Sequence, residues 1–199
     1  DQKIESLGQT VEGFQGYEVG DNIKGGNGNK VLINTVGSAP NSFFVYEQAY
    51  DNQGSPIDGV FIDRNGDGTI TTADRYIYKK PSADIFYGFY TNLTYKNWDL
   101  SMFWQGAGGN KVFNSIYRNL MAGDFGNHHT DMLNYWTPTN TNTNVPRPII
   151  GDPNGNGRDS NRFIQDGDYL RLQSLEIGYE IPMPTNGVIQ KAKVFVNGQ

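Results

Sequence analysis

The chain of 199 residues has no cysteine and only two histidines. Without thiols there is no disulfide framework, and thiolate zinc and iron–sulfur sites are excluded. His128 and His129 are neighbours, and adjacent side chains diverge on any regular element, so they read as a solvated loop rather than a metal pair. H-E-x-x-H, the nucleophile elbow and a Ser-His-Asp arrangement are all missing, which argues against histidine acid–base chemistry. So are the phosphate-cradling G-x-G-x-x-G and G-x-x-x-x-G-K-[ST] motifs in a strand-to-helix setting. Positive charge is scarce: 16 Lys and Arg against 21 Asp and Glu give a net charge of -5, the opposite of a nucleic-acid groove. No apolar run reaches the ~18 residues of a transmembrane helix. Only strands closed into a barrel could carry such a chain across a membrane.

Aromatics and glycine are abundant instead. The chain carries 25 Gly, 12 Tyr, 11 Phe and 3 Trp, yet its mean hydropathy is -0.60. Aromatic-rich without being greasy, it suits antiparallel β-structure. Its ends, at Asp1 and after Phe195-Val196-Asn197-Gly198-Gln199, read as those of a fragment of something larger. A fragment starting downstream of a signal peptide would show none, so export stays open.

The sharpest motif is Asp63-Arg64-Asn65-Gly66-Asp67-Gly68-Thr69-Ile70-Thr71-Thr72-Ala73-Asp74. Side-chain oxygens recur at the first, third, fifth and last places of a loop of EF-hand length, with glycine where that loop turns sharply. Calcium takes about six to eight oxygens. Asp63, Asn65 and Asp67 would each supply one, the Thr69 carbonyl another, and Asp74 the closing carboxylate, with Ile70 anchoring the loop in the core. A structural calcium ion is the expected cofactor. Two features depart from a full EF-hand: the last ligand is Asp rather than Glu, and Gly59-Val60-Phe61-Ile62 reads as extended chain, not an entering helix. The same residues also make an Asx-rich turn that needs no ion.

Along the chain, Ile4, Leu7 and Val11 have a loosely helical spacing. Gly25-Gly26-Asn27-Gly28-Asn29 is a turn cluster before the apolar run Lys30-Val31-Leu32-Ile33. Residues 1–41 form a loosely patterned strand-and-loop segment. Ser42 to Tyr50 reads as one strand. The two clearest strands follow Pro81. In the first, Ile85, Tyr87, Phe89, Leu93 and Tyr95 share one face and Gly88, Asn92, Thr94 and Lys96 the other. In the second, Trp98, Leu100, Met102 and Trp104 alternate with Asn97, Asp99, Ser101 and Gln105, and the run from Gly106 to Asn110 ends it. Each arm has the length a tilted barrel strand needs, with aromatics near its ends; a two-layer sandwich alternates in the same way.

Phe113, Ile116, Tyr117, Leu120 and Met121 fall on one face of a short helix, and a second short helix starts with Thr130 as N-cap and ends near Trp136. Thr137 to Pro148 is too polar and proline-broken for the core and reads as a surface loop. Asp152 to Asp159 echoes the acidic loop without its spacing and reads as a turn. The last strands are Asp168 to Ile181, with Tyr169, Leu175, Ile177, Tyr179 and Ile181 on one face, and Lys191 to Val196, with Ala192, Val194 and Val196. Carboxylate pairs for glycoside hydrolysis depend on a separation that sequence does not give. The best acidic cluster already has a use as a metal loop, and loop aromatics with Asn, Asp and Arg suit binding better than turnover.

Taken in order, DRNGDGTITTADR, YGFYTNLTYKNWDLSMFWQGAGGNKVFN, WTPTNTNTNVPRP, RFIQDGDYLRLQSLEIGYEIP and VFVNGQ resemble the C-terminal part of the SusC/RagA family of outer-membrane transporters. The likeness covers most of residues 42–199 and is loose before them. What it implies is a piece of a large plugged barrel of the roughly 22-stranded kind, set in the bacterial outer membrane. Such an importer is driven through TonB, pairs with a SusD-like surface lipoprotein and takes up oligosaccharides or peptides. By that likeness residues 42–199 are a barrel segment whose loop region 107–167, helices included, is extracellular, and the chain is not an enzyme. The residues alone leave a second reading open: a secreted, calcium-stabilised β-sandwich that binds carbohydrate or adheres to a surface.

Overall fold

The computed structural model describes residues 3–8, 10, 11, 13–22, 28–123, 126–184 and 186–198. In chain order its elements are β1 (Thr10–Val11), β2 (Phe14–Val19), β3 (Leu32–Thr35), β4 (Ser42–Val45), β5 (Gln48–Tyr50), β6 (Pro56–Phe61), β7 (Tyr76–Ile77), β8 (Ile85–Tyr95), β9 (Trp98–Gly108), β10 (Lys111–Phe113), α1 (Ser115–Met121), β11 (Ile164–Asp166), β12 (Tyr169–Ile181) and β13 (Ala192–Gly198). Every ladder between these strands is antiparallel, and the class is mainly β, as the composition led us to expect. Two compact units share the chain: Asp1–Pro81 with Lys111–Asp166, and Ser82–Asn110 with Gly167–Gln199.

The first unit contains sheets ordered β1-β2-β3-β4-β7, β5-β6 and β10-β11. Its core is two small clusters. Val31, Phe43 and Val45 pack with Leu32, Tyr76, Phe113 and Ile164, and Met121, Met132, Val145 and Phe163 pack with Phe113 and Tyr117. Two buried arginines of this interior are paired with carboxylates. Arg75 is bonded to Glu18, donates to the Lys30 carbonyl at 3.1 Å and lies 4.3 Å from the Phe44 ring centroid. Arg118, on α1, sits 3.2 Å from Asp159, and both side chains are buried.

Several expectations for this unit change. Ile4 enters no helix; it bridges Val36 as extended chain, because a sheet edge offers its backbone partners that a spacing of three apolar residues does not replace. The glycine cluster at 25–29 lies largely outside the described residues. Ser42 to Tyr50 is two strands in two sheets: at Tyr46 the chain leaves its neighbours and exchanges backbone bonds with Asp159 and Asn161, both at 3.0 Å. The Thr130–Asn134 turn is 3-10 rather than α-helical and ends before Trp136. Its N-cap is His129, not Thr130, the imidazole accepting from the Asp131 N–H. The loop 137–148 is polar as read, yet Thr143 and Val145 are buried. Residues 152–159 are more than a turn: Asp152 accepts the N–H groups of Asn156 and Gly157 at 2.8 and 2.7 Å, while the Asn154 and Asn156 amides hold Asp58.

The second unit is one four-stranded sheet ordered β13-β12-β9-β8. β8 and β9 pair along their whole lengths from Ile85↔Gly108 to Tyr95↔Trp98, joined by the two-residue turn Lys96-Asn97, in which Lys96 adopts a left-handed φ of 54°. The second strand continues past Gly106 and ends at Gly108, since Ala107 and Gly108 find partners in β8 and Gly109, at φ 87°, turns the chain away. The connections into β8, out of β9 and into β12 all leave the sheet at the end opposite that turn.

Candidate functional site

The four-stranded sheet has two different faces, and its register builds both. Paired positions place Tyr87, Phe89, Leu93 and Tyr95 of β8 beside Trp98, Leu100, Met102 and Trp104 of β9. Beside these lie Leu170, Leu172, Leu175, Ile177 and Tyr179 of β12, then Val194 and Val196 of β13. This apolar face is continuous. Phe89 stacks on Trp104 with centroids 5.9 Å apart, and Trp98 meets Tyr179 at 4.7 Å near the turn. Val196 is 74% and Tyr95 70% exposed, far more than a protein core allows.

The opposite face is polar. Lys193 lies 2.9 Å from Asp99 and 3.7 Å from Glu176, and Lys191 lies 3.1 Å from Glu180. Tyr90 donates to Ser101 at 3.1 Å. Aromatics stand on this face too, Phe86 and Tyr90 among them, both exposed; their even-numbered spacing along β8 was the signal for them. Tyr169 belongs here as well and not with Leu175, because β12 carries a bulge between Leu172 and Ser174 that changes the parity of the strand.

In the first unit the five expected calcium ligands lie along one loop. Asp63 accepts the N–H groups of Gly66 and Gly68 at 2.7 and 2.8 Å. Asn65 accepts the Asp67 N–H at 3.0 Å and Asp67 the Thr69 N–H at 2.8 Å, so the alternating Asx residues bind backbone two residues on. Asp74 is fully buried and closes the loop, accepting the N–H groups of Thr71 at 2.7 Å and Arg64 at 2.9 Å. The Thr71 bond first, and those from Arg64 and Asn65 after it, hold its carboxyl below the usual carboxylate range against the opposing effect of burial. Arg64 fastens the loop to the sheet, bonded to Glu47 and lying 4.2 Å from the Tyr76 centroid. Ile70 is half-buried rather than a core anchor. Among the described residues no group of three or more His, Asp or Glu converges as a metal set. A carboxylate oxygen has two lone pairs, however, so backbone bonds to Asp63 and Asp67 leave acceptor capacity for a cation.

Comparison with known proteins decides what kind of sheet this is. The chain is 35% identical over 194 residues to TonB-dependent receptor P3 of Formosa agariphila, covering 96% of this chain and 17% of that protein. It is 36% identical over 166 residues to TonB-dependent receptor SusC of Bacteroides thetaiotaomicron, covering 81% of this chain and 16% of that protein. The chain belongs to the SusC/RagA family of TonB-dependent outer-membrane transporters. It spans about a sixth of the length of the curated family members it matches. No family model matches it. Solved structures that share the fold include the RagAB peptide transporter, with a TM-score of 0.66 at 20% identity over 93% of this chain and 20% of that one, and the RagAB peptide importer in its closed-closed state, with 0.69 at 19% over 98% and 21%. Part of a large antiparallel barrel is therefore the fold of this SusC/RagA segment, not a free-standing sandwich. Its relatives are receptors and transporters, not enzymes.

Proposed function

We propose that this chain forms part of the wall and the outer loops of an importer in the bacterial outer membrane, one that takes up oligosaccharides or peptides with a SusD-like surface lipoprotein and draws its energy through TonB. The observation that carries the reading is the two-faced sheet. Strands of 11 residues, as β8 and β9 are, rise about 3.3 Å per residue, and a tilt of about 40° brings their ~33 Å down to ~25 Å, the height of a barrel's apolar band. The face of Leu100, Leu172 and Val196 meets lipid, and the face of Asp99, Glu176 and Lys193 meets the lumen. Barrels of this kind have short periplasmic turns and long outer loops. The Lys96-Asn97 turn is then periplasmic and the connection of residues 109–168 extracellular.

The test is uptake. A strain lacking the full-length gene should lose growth on the importer's oligosaccharide or peptide source, and regain it from an intact copy but not from one in which Leu100 and Leu172 are both arginine. Growth unchanged by the deletion on every such source would defeat the importer reading.

Calcium is the finer proposal for the loop 63–74. Asp63, Asn65, Asp67, the Thr69 carbonyl and the closing carboxylate of Asp74 would hold the ion. Calorimetry on the detergent-solubilised full-length receptor should show a site that Asp63→Ala removes; calcium heats identical in the variant would rule out this loop.

A further inference from the structure

Within the first unit, the β5–β6 hairpin and the Asn/Thr-rich loop border a cleft of about 520 Å³ whose lining includes Asp51, Pro56, Asp58, Trp136, Thr141 and Arg147. Its walls are held firmly. The Trp136 N–H donates to the carbonyl of buried Val145 at 2.9 Å, and Thr137 and Asn140 exchange backbone bonds at 3.1 and 3.0 Å. The Asn140 amide fastens the loop to Asn134 and to the Tyr135 carbonyl, both at 3.0 Å. On the other wall the Asn154 and Asn156 amides donate to Asp58 at 3.1 and 2.6 Å, and Arg147 lies 3.7 Å from the same carboxylate. One Asp51 oxygen accepts the N–H groups of Gln53 and Ser55 at 2.9 and 2.8 Å. Trp136 is 39% exposed.

We propose that this cleft binds a pyranose unit of a neutral oligosaccharide, the sugar's C–H face on the Trp136 indole and its hydroxyls on Asp51, Arg147 and Thr141. Sugar hydroxyls donate and accept at once. The cleft answers with carboxylate acceptors, guanidinium donors and a hydroxyl that does either, set among the apolar groups of Trp136, Pro56, Ile57, Val145 and Pro146. An extended peptide would need a row of free backbone groups, whereas those of Trp136, Thr137 and Asn140 are already spent within the loop. A purely apolar ligand would strip water from Asp58 and Arg147 without replacing it. This inference rests on the importer reading and adds the place and class of substrate contact.

The test uses the full-length receptor with its surface lipoprotein, purified in detergent and titrated with neutral gluco-, manno-, xylo- and galacto-oligosaccharides and, separately, with a mixed peptide library. Wild-type receptor should bind at least one oligosaccharide, Trp136→Ala should weaken that binding about tenfold or more, and Trp136→Phe should weaken it less, since a smaller aromatic plane remains. Leu133→Ala, away from the cleft, should bind like wild type, and unchanged elution and gel migration show that each variant is folded. Equal binding by wild type and Trp136→Ala would overturn the cleft while leaving the importer reading intact. Binding of peptides alone, or of nothing in either panel, would overturn the sugar assignment. The importer reading stands or falls separately, on the growth of the deletion strain.

Discussion

Leu172 and Leu175 present to the same face of β12 although they stand three positions apart, an odd step that alternation would send to opposite faces. Leu172 pairs with Trp104 and Leu175 with Met102, both on the apolar side of β9, because Gln173 is an extra residue bulged out before Ser174. The apolar stripe Leu170, Leu172, Leu175, Ile177, Tyr179, Ile181 thus survives a break in alternation that would otherwise have turned Arg171 toward lipid.

Deleting Gln173 should therefore be tolerated, since the ladder closes with every face unchanged. Exchanging Arg171 and Leu172 conserves composition but puts a cation on the lipid face, at a cost of about 2–4 kcal/mol near the bilayer midplane. Urea titration of the full-length receptor in lipid vesicles checks both. A deletion variant as unstable as the exchange variant would show that the bulge itself, not the facing it preserves, matters.

The strand pair 85–108 was readable because alternation over two long arms with a two-residue turn leaves little freedom of register. The bulge also left a trace, the spacing of three between Leu172 and Leu175, but only the partner strand shows which residue is extra. The break at Tyr46 has only a slight local mark, the polar pair Glu47-Gln48 that follows it; distant residues, Asp159 and Asn161, supply the competing backbone bonds. The acidic loop was legible from spacing, and so was the reach of its side chains to backbone. The Asp58–Asn156 contact spans the chain, and no periodicity encodes it.

Gly106 makes room for Tyr87. A Cβ at Gly106 would lie 2.4 Å from the Tyr87 ring and 2.5 Å from the Tyr169 carbonyl oxygen, the same oxygen that accepts the Tyr87 hydroxyl at 3.1 Å. Gly106→Ala should destabilise the sheet by about 1–3 kcal/mol, the range for overpacking. Tyr87→Phe, which loses one exposed hydrogen bond, should cost about 1 kcal/mol or less. Unfolding of the two full-length variants, compared under one set of conditions, checks the order.

Arg118 and Asp159 are a buried pair, and breaking it from one side strands the other charge. Arg118→Ala and Asp159→Ala should each cost about 3–5 kcal/mol locally. Limited proteolysis of the full-length receptor should find new cleavage between residues 115 and 163 in both variants, while the strands within the bilayer stay protected. Protection equal to wild type would mean that the remaining charge regains water without opening the segment.

Asp74 sets the acid limit of its loop. Its carboxyl is held below the usual range chiefly by the Thr71 N–H, so its folded-state value lies below the unfolded one of about 3.9. The stabilisation is fully present above about pH 4 and is lost as pH falls through the lowered folded value. Hydrogen-exchange protection at residues 64–71 of the full-length receptor, taken relative to the intrinsic exchange rate at each pH, should be flat at neutral pH and fall only in stronger acid. Asp74→Asn should remove that pH dependence and cost about 1–3 kcal/mol at neutral pH, because its amide offers one acceptor where the carboxylate served several N–H groups. Calcium bound in the loop by Asp63, Asn65, Asp67, the Thr69 carbonyl and Asp74 would move the acid transition further down, since a cation favours the charged carboxylates. A transition unmoved by calcium would leave the Asp74 cap standing and remove the ion.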